Sequence, residues 1–178
     1  NSYLEKIMGK KLWEASKNKK TNSNLYAYEK FISEKFNLKL NHNYNKILNW
    51  SIKNYGKFWS SIWDFCKIKG TKSNIELIVS KIFYKNFFLP KSKLNFAENL
   101  ITKNNKSKAL TFISENGFRE ERNWLELNNN VSKIFKFFNK IKLKKNDRVA
   151  AYLPNFIETV EAFLATSSLG AIWSSCSP

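Results

Sequence analysis

The chain has 178 residues, 43% hydrophobic and 16% aromatic, which is enough apolar matter for a folded core and too much for a disordered segment. Its formal charge is +17 and nearly all of the excess is Lys, since Arg119, Arg122 and Arg148 are the only Arg. Lys scattered beside Asn, Ile and Phe reads as the solvated surface of an AT-rich coding sequence, whereas a base-reading surface favours the planar fork of Arg; nucleic acid is not expected as a partner.

In chain order, residues 1–22 read as a polar, Lys-rich arm whose Trp13 docks onto something downstream. Leu25, Tyr28, Phe31, Ile32 and Phe36 recur at helical spacing after Ser23, which is placed to cap the first turn. His42, the only histidine, sits among Asn residues with no acid beside it in sequence and reads as a surface residue. From Tyr44 to Phe65 the chain is strongly aromatic. Phe58, Ile62 and Phe65 share one helical face, Trp59 and Trp63 form an adjacent stripe, and Gly70 is placed to end the helix. Aromatics interleaved with Lys can stack on single-stranded bases, but helical periodicity is what packing into a core demands.

Pro90 marks an extended segment, residues 94–101 a short helix laid on the next domain, and the polar segment 103–108 an internal boundary. Residues 109–114 and 118–123 read as two strands joined at Glu115-Asn116-Gly117, where Asn-Gly supplies the positive backbone angles of a hairpin turn. Asn123 with Glu126 fits a capping box, and Leu127, Val131, Ile134, Phe135 and Phe138 mark the buried face of the helix that follows. The stretch from Asp147 to Pro178 then reads as strand (148–153), helix (156–169) and strand (171–173), the parallel crossover unit of doubly wound sheets. Asn155 with Glu158 repeats the capping pattern, Phe156, Val160, Phe163 and Leu164 form the buried face, and Glu158 and Glu161 are expected on the solvated side.

No run approaches the roughly 20 apolar residues of a membrane span, and no signal peptide opens the chain; no membrane partner is expected. Cys66 and Cys176 stand apart from each other and from His42, so neither a disulfide framework nor a zinc site is expected, and a cytoplasmic setting fits. There is no Gly-rich phosphate loop, no Ser/His/Asp constellation and no metal-ligand cluster in the sequence. A start at Asn1 without Met and an end just past a strand read as marks of a fragment.

Several landmarks together resemble the N-terminal domain of the adenylate-forming acyl-CoA synthetases, and within them the acetoacetyl-CoA branch. They are LWEAS at 12–16, NWS at 49–51, KFWSSIWDF at 57–65, LNFAENL at 94–100, NWLEL at 123–127, DRVAAYLPN at 147–155 and EAFLATSSLGAIWSSCSP at 161–178. The acetyl and propionyl branches share the FW and LN-AEN landmarks, but their final turn is typically glycine-rich and phenylalanine-containing. Ala15 stands where the family has Pro, Phe88-Leu89-Pro90-Lys91 where it has Trp-Phe-Pro-Gly, and Asn146 where it has Gly, a change that Asn tolerates because it accepts the left-handed conformation.

The resemblance implies an α/β fold: a helical, aromatic-rich lead-in, then a β-hairpin and the first strand-helix-strand crossover of a doubly wound sheet. It divides the chain into an acetyl-CoA-synthetase-type region (1–102) and the start of the AMP-binding domain (103–178). It further implies a parent enzyme that uses ATP and Mg2+ to convert acetoacetate to an acyl-adenylate and then transfers the acyl group to CoA. The family's phosphate loop and catalytic Lys lie downstream of this stretch, so residues 1–178 alone are expected to be inactive. No catalytic or metal-binding residue is assigned. Trp173, Ser174, Ser175 and Cys176, read as a turn at the carboxyl end of a sheet strand, are the candidate border of the CoA or acyl pocket; the alternative is an ordinary packed turn carrying a buried Cys. Two other readings stay open: a basic, aromatic nucleic-acid-binding module, and a stand-alone interaction domain made from a truncated ligase.

Overall fold

The computed structural model describes residues 12–178, which fall into two compact units, residues 12–67 with 74–90 and residues 68–73 with 91–178. The part of the expected arm at 1–11 lies outside the described residues. Trp13 is 71% exposed, so among the described residues nothing supplies the docking expected of it. Ser16 instead caps a short helix, α1 (Lys17–Thr21), by accepting from the Lys19 N–H; with no apolar residue in its sequence, α1 has nothing to bury.

The first unit is a helical cluster. Ser23 caps α2 (Asn24–Phe36) as its position predicts, accepting from the Tyr26 N–H. The aromatic run forms two helices rather than one, α3 (Tyr44–Lys53) and α4 (Tyr55–Phe65). The break is at Asn54, whose backbone N–H makes the last ladder bond to the Trp50 carbonyl while its side-chain amide donates to the same oxygen, a local side-chain bond of the kind that competes with helix continuation. Tyr28, Ile32, Leu40 and Ile47 are buried, with Phe31, Phe36, Leu38, Trp50, Phe58, Ile62 and Phe65 packed around them. The helical periodicity therefore reports core, although Leu25 at the end of the stripe is exposed.

Two short antiparallel strands, β1 (Leu77–Ile78) and β2 (Phe87–Phe88), lie against α4. The Phe88 ring meets Tyr55 and Trp59 edge-on at 6.0 and 5.9 Å, and Gly56 permits the approach, since a Cβ there would come 3.2 Å from the Leu77 Cβ. Pro90 is not in a helix, but neither is it in an extended run: it sits in a turn between Leu89 and Lys91, both left-handed. Gly70 does not end α4, which closes at Phe65 with Lys67 left-handed. It belongs to the second unit, where Thr71 pairs with Lys93 and a Cβ at position 70 would collide with the Lys93 carbonyl oxygen.

The second unit holds α5 (Phe96–Leu100), the hairpin β3 (Lys108–Ile113) and β4 (Arg119–Asn123), α6 (Trp124–Lys140), and the parallel pair β5 (Arg148–Tyr152) and β6 (Ile172–Cys176) joined by α7 (Ile157–Ser168). The chain is thus a mixed α/β structure with small sheets. Its compact units do not divide at the polar segment 103–108, because Ala97 of α5 is buried with Leu127, Val131, Leu164 and Ala165 of α6 and α7. Asn95 caps α5 and donates 2.8 Å to the Ser167 carbonyl at the end of α7. The hairpin turns on a three-residue loop in which Gly117, but not Asn116, is left-handed; Ser114 accepts from the Gly117 N–H and donates to the Phe118 carbonyl, the closure of a three-residue loop with a bulge rather than the two-residue Asn-Gly turn. The capping box at Asn123 and Glu126 is complete in both directions. That at Asn155 is not: α7 begins one residue later, at the Phe156 cap, with no side-chain bond.

One buried polar chain lies in the first unit. The Ser61 hydroxyl donates 2.7 Å to the Phe58 carbonyl, which leaves the Tyr28 hydroxyl to donate to Ser61 Oγ, also at 2.7 Å. Burial pushes the Tyr28 phenol up, the Ser61 bond pulls it back, and Cys66 adds a smaller upward push. Ser61→Ala orphans that phenol and is expected to lower stability by about 1–3 kcal/mol. The double variant Tyr28→Phe/Ser61→Ala, which leaves no buried hydroxyl unpaired, should cost less than Ser61→Ala alone in urea denaturation followed by circular dichroism.

Candidate functional site at the β5–β6 edge

The four residues expected to form a turn lie within a strand. β6 pairs in parallel with β5, with Val149 opposite Trp173, Ala150 opposite Ser174, Ala151 opposite Ser175 and Tyr152 opposite Cys176. The sequence suggests a turn because the apolar run stops at Trp173, yet the ladder carries the backbone on through Ser174, Ser175 and Cys176, and the Leu153 N–H continues it to the Cys176 carbonyl at 3.3 Å. Side chains alternate across a strand. Trp173 meets Phe163 of α7 edge-on at 6.2 Å, and its indole donates 3.1 Å to Ser175 Oγ, so Trp173 and Ser175 share the helix side. Ser174 and Cys176 share the opposite face with Ile172. Cys176 is exposed and free, not buried.

At the carboxyl end of β5, Pro154 turns the chain into α7, and its carbonyl accepts from Thr159 Oγ1 at 2.8 Å. The edge therefore offers two Ser hydroxyls, one thiol and an indole. It brings together no acid–base pair, and among the described residues no group of three or more His, Cys, Asp or Glu could hold a metal ion. Such an edge can border and orient a ligand; it does not itself move protons or stabilise phosphate charge.

Beside the edge is a charged cluster that sequence reasoning misplaced. Glu161, expected on the solvated side of α7, is only 3% exposed. It accepts 2.9 Å from the Asn130 amide of α6 and lies 3.4 Å from Arg122 Nε of β4. The same guanidinium bonds Glu120 at 2.5 Å and Glu158 at 3.2 Å. Burial, the largest influence on Arg122, pulls its pKa down, but the Glu120 hydrogen bond and the charges of Glu120, Glu161 and Glu158 outweigh it and hold the pKa above its ordinary value. A signal for this was present: Ile157, Glu161, Leu164 and Ala165 fall at i, i+4, i+7 and i+8, so the acid stands inside the apolar stripe. On the hairpin's outer side, hydrogen bonds from Lys108 and then Arg119 hold the Glu121 carboxyl below its usual range. Phe112, Phe118 and Phe156 line a cavity of about 420 Å³ next to Glu120 and Glu158.

His42 is a surface residue, as expected, but an acid does face it. Glu29, thirteen residues earlier on α2, accepts from the His42 N–H at 2.6 Å and lies 3.2 Å from its Nδ1. His42 also stacks on Tyr26 with ring centroids 4.7 Å apart. The pair ties a left-handed loop residue to a helix within the first unit.

Comparison with known proteins bears on what this edge belongs to. No protein-family model matches the chain. The acetoacetyl-coenzyme A synthetase of Rhizobium meliloti (strain 1021) is 38% identical over 135 residues, covering 76% of this chain and 21% of that protein. The malonamoyl-CoA synthetase vrtB of Penicillium aethiopicum is 30% identical over 175 residues, covering 94% of this chain and 24% of its own length. The solved structure of acetoacetyl-CoA synthetase from Streptomyces lividans superposes with a TM-score of 0.83 at 23% identity, over 96% of this chain and 27% of that one.

The fold is therefore that of part of an acyl-CoA synthetase, and the chain spans about a quarter of the length of the proteins it matches. Within that class its sequence is similar to those of an acetoacetyl-CoA synthetase and a malonamoyl-CoA synthetase.

The buried and exposed acids of α7 should respond differently to removal. Glu161→Ala leaves the Asn130 amide and one side of Arg122 without a partner and is expected to cost about 2–3 kcal/mol. Glu158, more than half exposed, should cost less than about 1 kcal/mol as Ala. Equal losses for the two variants in chemical denaturation would contradict this account of the cluster.

Proposed function

We propose that the protein carrying this chain is an ATP-dependent acetoacetate–CoA ligase. It would join acetoacetate to AMP with release of pyrophosphate, then pass the acyl group from the mixed anhydride to the thiol of CoA. The observation that carries this reading is the 38% identity to an acetoacetyl-coenzyme A synthetase. The malonamoyl-CoA synthetase relative supports the same substrate class, because malonamate and acetoacetate both place a carbonyl group β to the carboxylate and differ at the far end in an amino group for a methyl. Acetate and propionate lack that carbonyl.

The division into a region at 1–102 and the start of an AMP-binding domain at 103–178 is part of this proposal, as is a cytoplasmic location, which suits two free, exposed cysteines. ATP and Mg2+ would be handled by other parts of the protein, since this sequence has no Gly-rich phosphate loop and, among the described residues, no group of three or more His, Cys, Asp or Glu could hold a metal ion. Its own contribution would be the β6 border, where Trp173, Ser174, Ser175 and Cys176 run along a parallel strand toward its carboxyl end, the side on which such sheets bind ligands, beside the CoA or acyl pocket.

In the full-length protein, AMP formation should depend on acetoacetate, with kcat/KM at least about tenfold higher than for acetate or propionate, a step of the size that added binding groups confer. Acetate turning over as well as acetoacetate would end the substrate assignment. Ser174→Leu and Ser175→Leu, on opposite faces of β6, separate the two sides of the border. The substitution that faces the pocket should raise the KM for CoA or acetoacetate by about tenfold. If neither substitution changes either constant, residues 173–176 are not the border.

A further inference from the structure

We propose that the end of α6 and the loop after it form a docking surface for an anionic lipid bilayer, a peripheral contact that departs from the expectation of no membrane partner, which rested on the lack of a membrane-crossing segment. Between Glu126 and Asp147 the chain has no acidic residue and six Lys, at positions 133, 136, 140, 142, 144 and 145. All six are exposed. Elsewhere Lys20, Lys35 and Lys108 are paired with Glu14, Asp64 and Glu121; among the described residues none of these six makes an ion pair. Scattered Lys is a bland surface, but a run with no counter-charge is a local field.

Two apolar side chains stand among these charges. Phe137 is 57% exposed and Ile141 54%. On the α6 helix Lys133, Phe137, Lys140 and Ile141 fall at i, i+4, i+7 and i+8 and so share a side, apart from Leu127, Val131 and Phe138, which face the core. The loop is held in place. Lys142 is left-handed, and the Lys142 and Leu143 N–H groups close the helix on the Asn139 and Phe138 carbonyls. Asp147, the first acid, accepts from the Lys144 N–H at 2.7 Å. The Lys145 stem runs past Gly170, where a Cβ would come 3.3 Å from its Cγ.

The helix dipole accounts for cations in the last turn, hence for Lys140. It does not account for Lys133, Lys144, Lys145 or the apolar pair. A polynucleotide would use the charges but has no use for the aliphatic Ile141. An anionic bilayer uses both kinds of group: Lys meets headgroups, and Phe and Ile enter the acyl boundary. The surface is independent of the ligase reading, and its test does not rely on ligase activity.

The test is sedimentation of the full-length protein with vesicles of phosphatidylcholine alone or with about 30% phosphatidylserine at physiological salt. Binding is expected only to the anionic vesicles. Phe137→Ser/Ile141→Ser and Lys142→Gln/Lys144→Gln/Lys145→Gln should each lower partition by at least about tenfold. The loop triple variant changes only exposed side chains and serves if the apolar pair proves needed for folding. Lys17→Gln/Lys19→Gln/Lys20→Gln removes the same charge from α1 and should change partition by less than about twofold. Absence of binding, or an equal loss in the α1 control, overturns the proposal. So does retention of vesicle binding by the loop variant while it loses a single-stranded oligonucleotide.

Discussion

The second unit depends on the packing of α7 against α6, with α5 laid across them. Ala97 and Ala165 are fully buried there beside Leu127, Val131 and Leu164, and their small size lets the helix backbones approach closely enough for the larger side chains to interlock. The β5–β6 pair needs this support. Among the described residues these strands pair only with each other, and two parallel strands are not stable without a covered face. Trp173 on Phe163 supplies the cover on one side, so the position of the candidate border is set by a helix core and not by its own hydrogen bonds.

Polar groups complete that core at its margins. Asn95 joins the start of α5 to the end of α7, and Arg122 joins the hairpin to α7 through Glu158 and Glu161. A buried carboxylate such as Glu161 is costly to desolvate unless it is met by donors. Asn130 and Arg122 meet it only when α6, α7 and β4 are docked in one arrangement. The cluster therefore selects a relative placement of three elements more than it adds raw stability, and that placement carries the border strand.

Much of the fold was legible because local rules and tertiary packing agree. Ser23 and Asn123 cap the helices they precede, the stripes through Tyr28 and Ile32 and through Leu127 and Val131 are buried, and β5–α7–β6 forms the parallel crossover. What was not legible turns on partners distant in sequence. Gly70 reads as a helix stop but serves the approach of Lys93; Trp13 reads as an anchor but finds no cover among the described residues; Glu29 faces His42 only because a loop folds back on α2. The form of the candidate border was not legible. Residues 173–176 read as a turn because the apolar run stops at Trp173, and it is pairing with β5 that makes them a strand.

By itself the sequence determined the element order, the two apolar clusters, the Lys excess and the landmarks that link the chain to acyl-CoA synthetases, because each is written in residues close together or in a recurring order. Only the tertiary structure decided which face of β6 carries Ser174 and which Ser175, that Glu161 is buried in a network with Arg122, and that six unpaired Lys surround Phe137 and Ile141. The physical reason is the same in each case: burial and charge pairing are properties of what packs opposite a residue, and nothing in the local sequence records the residue on the other side.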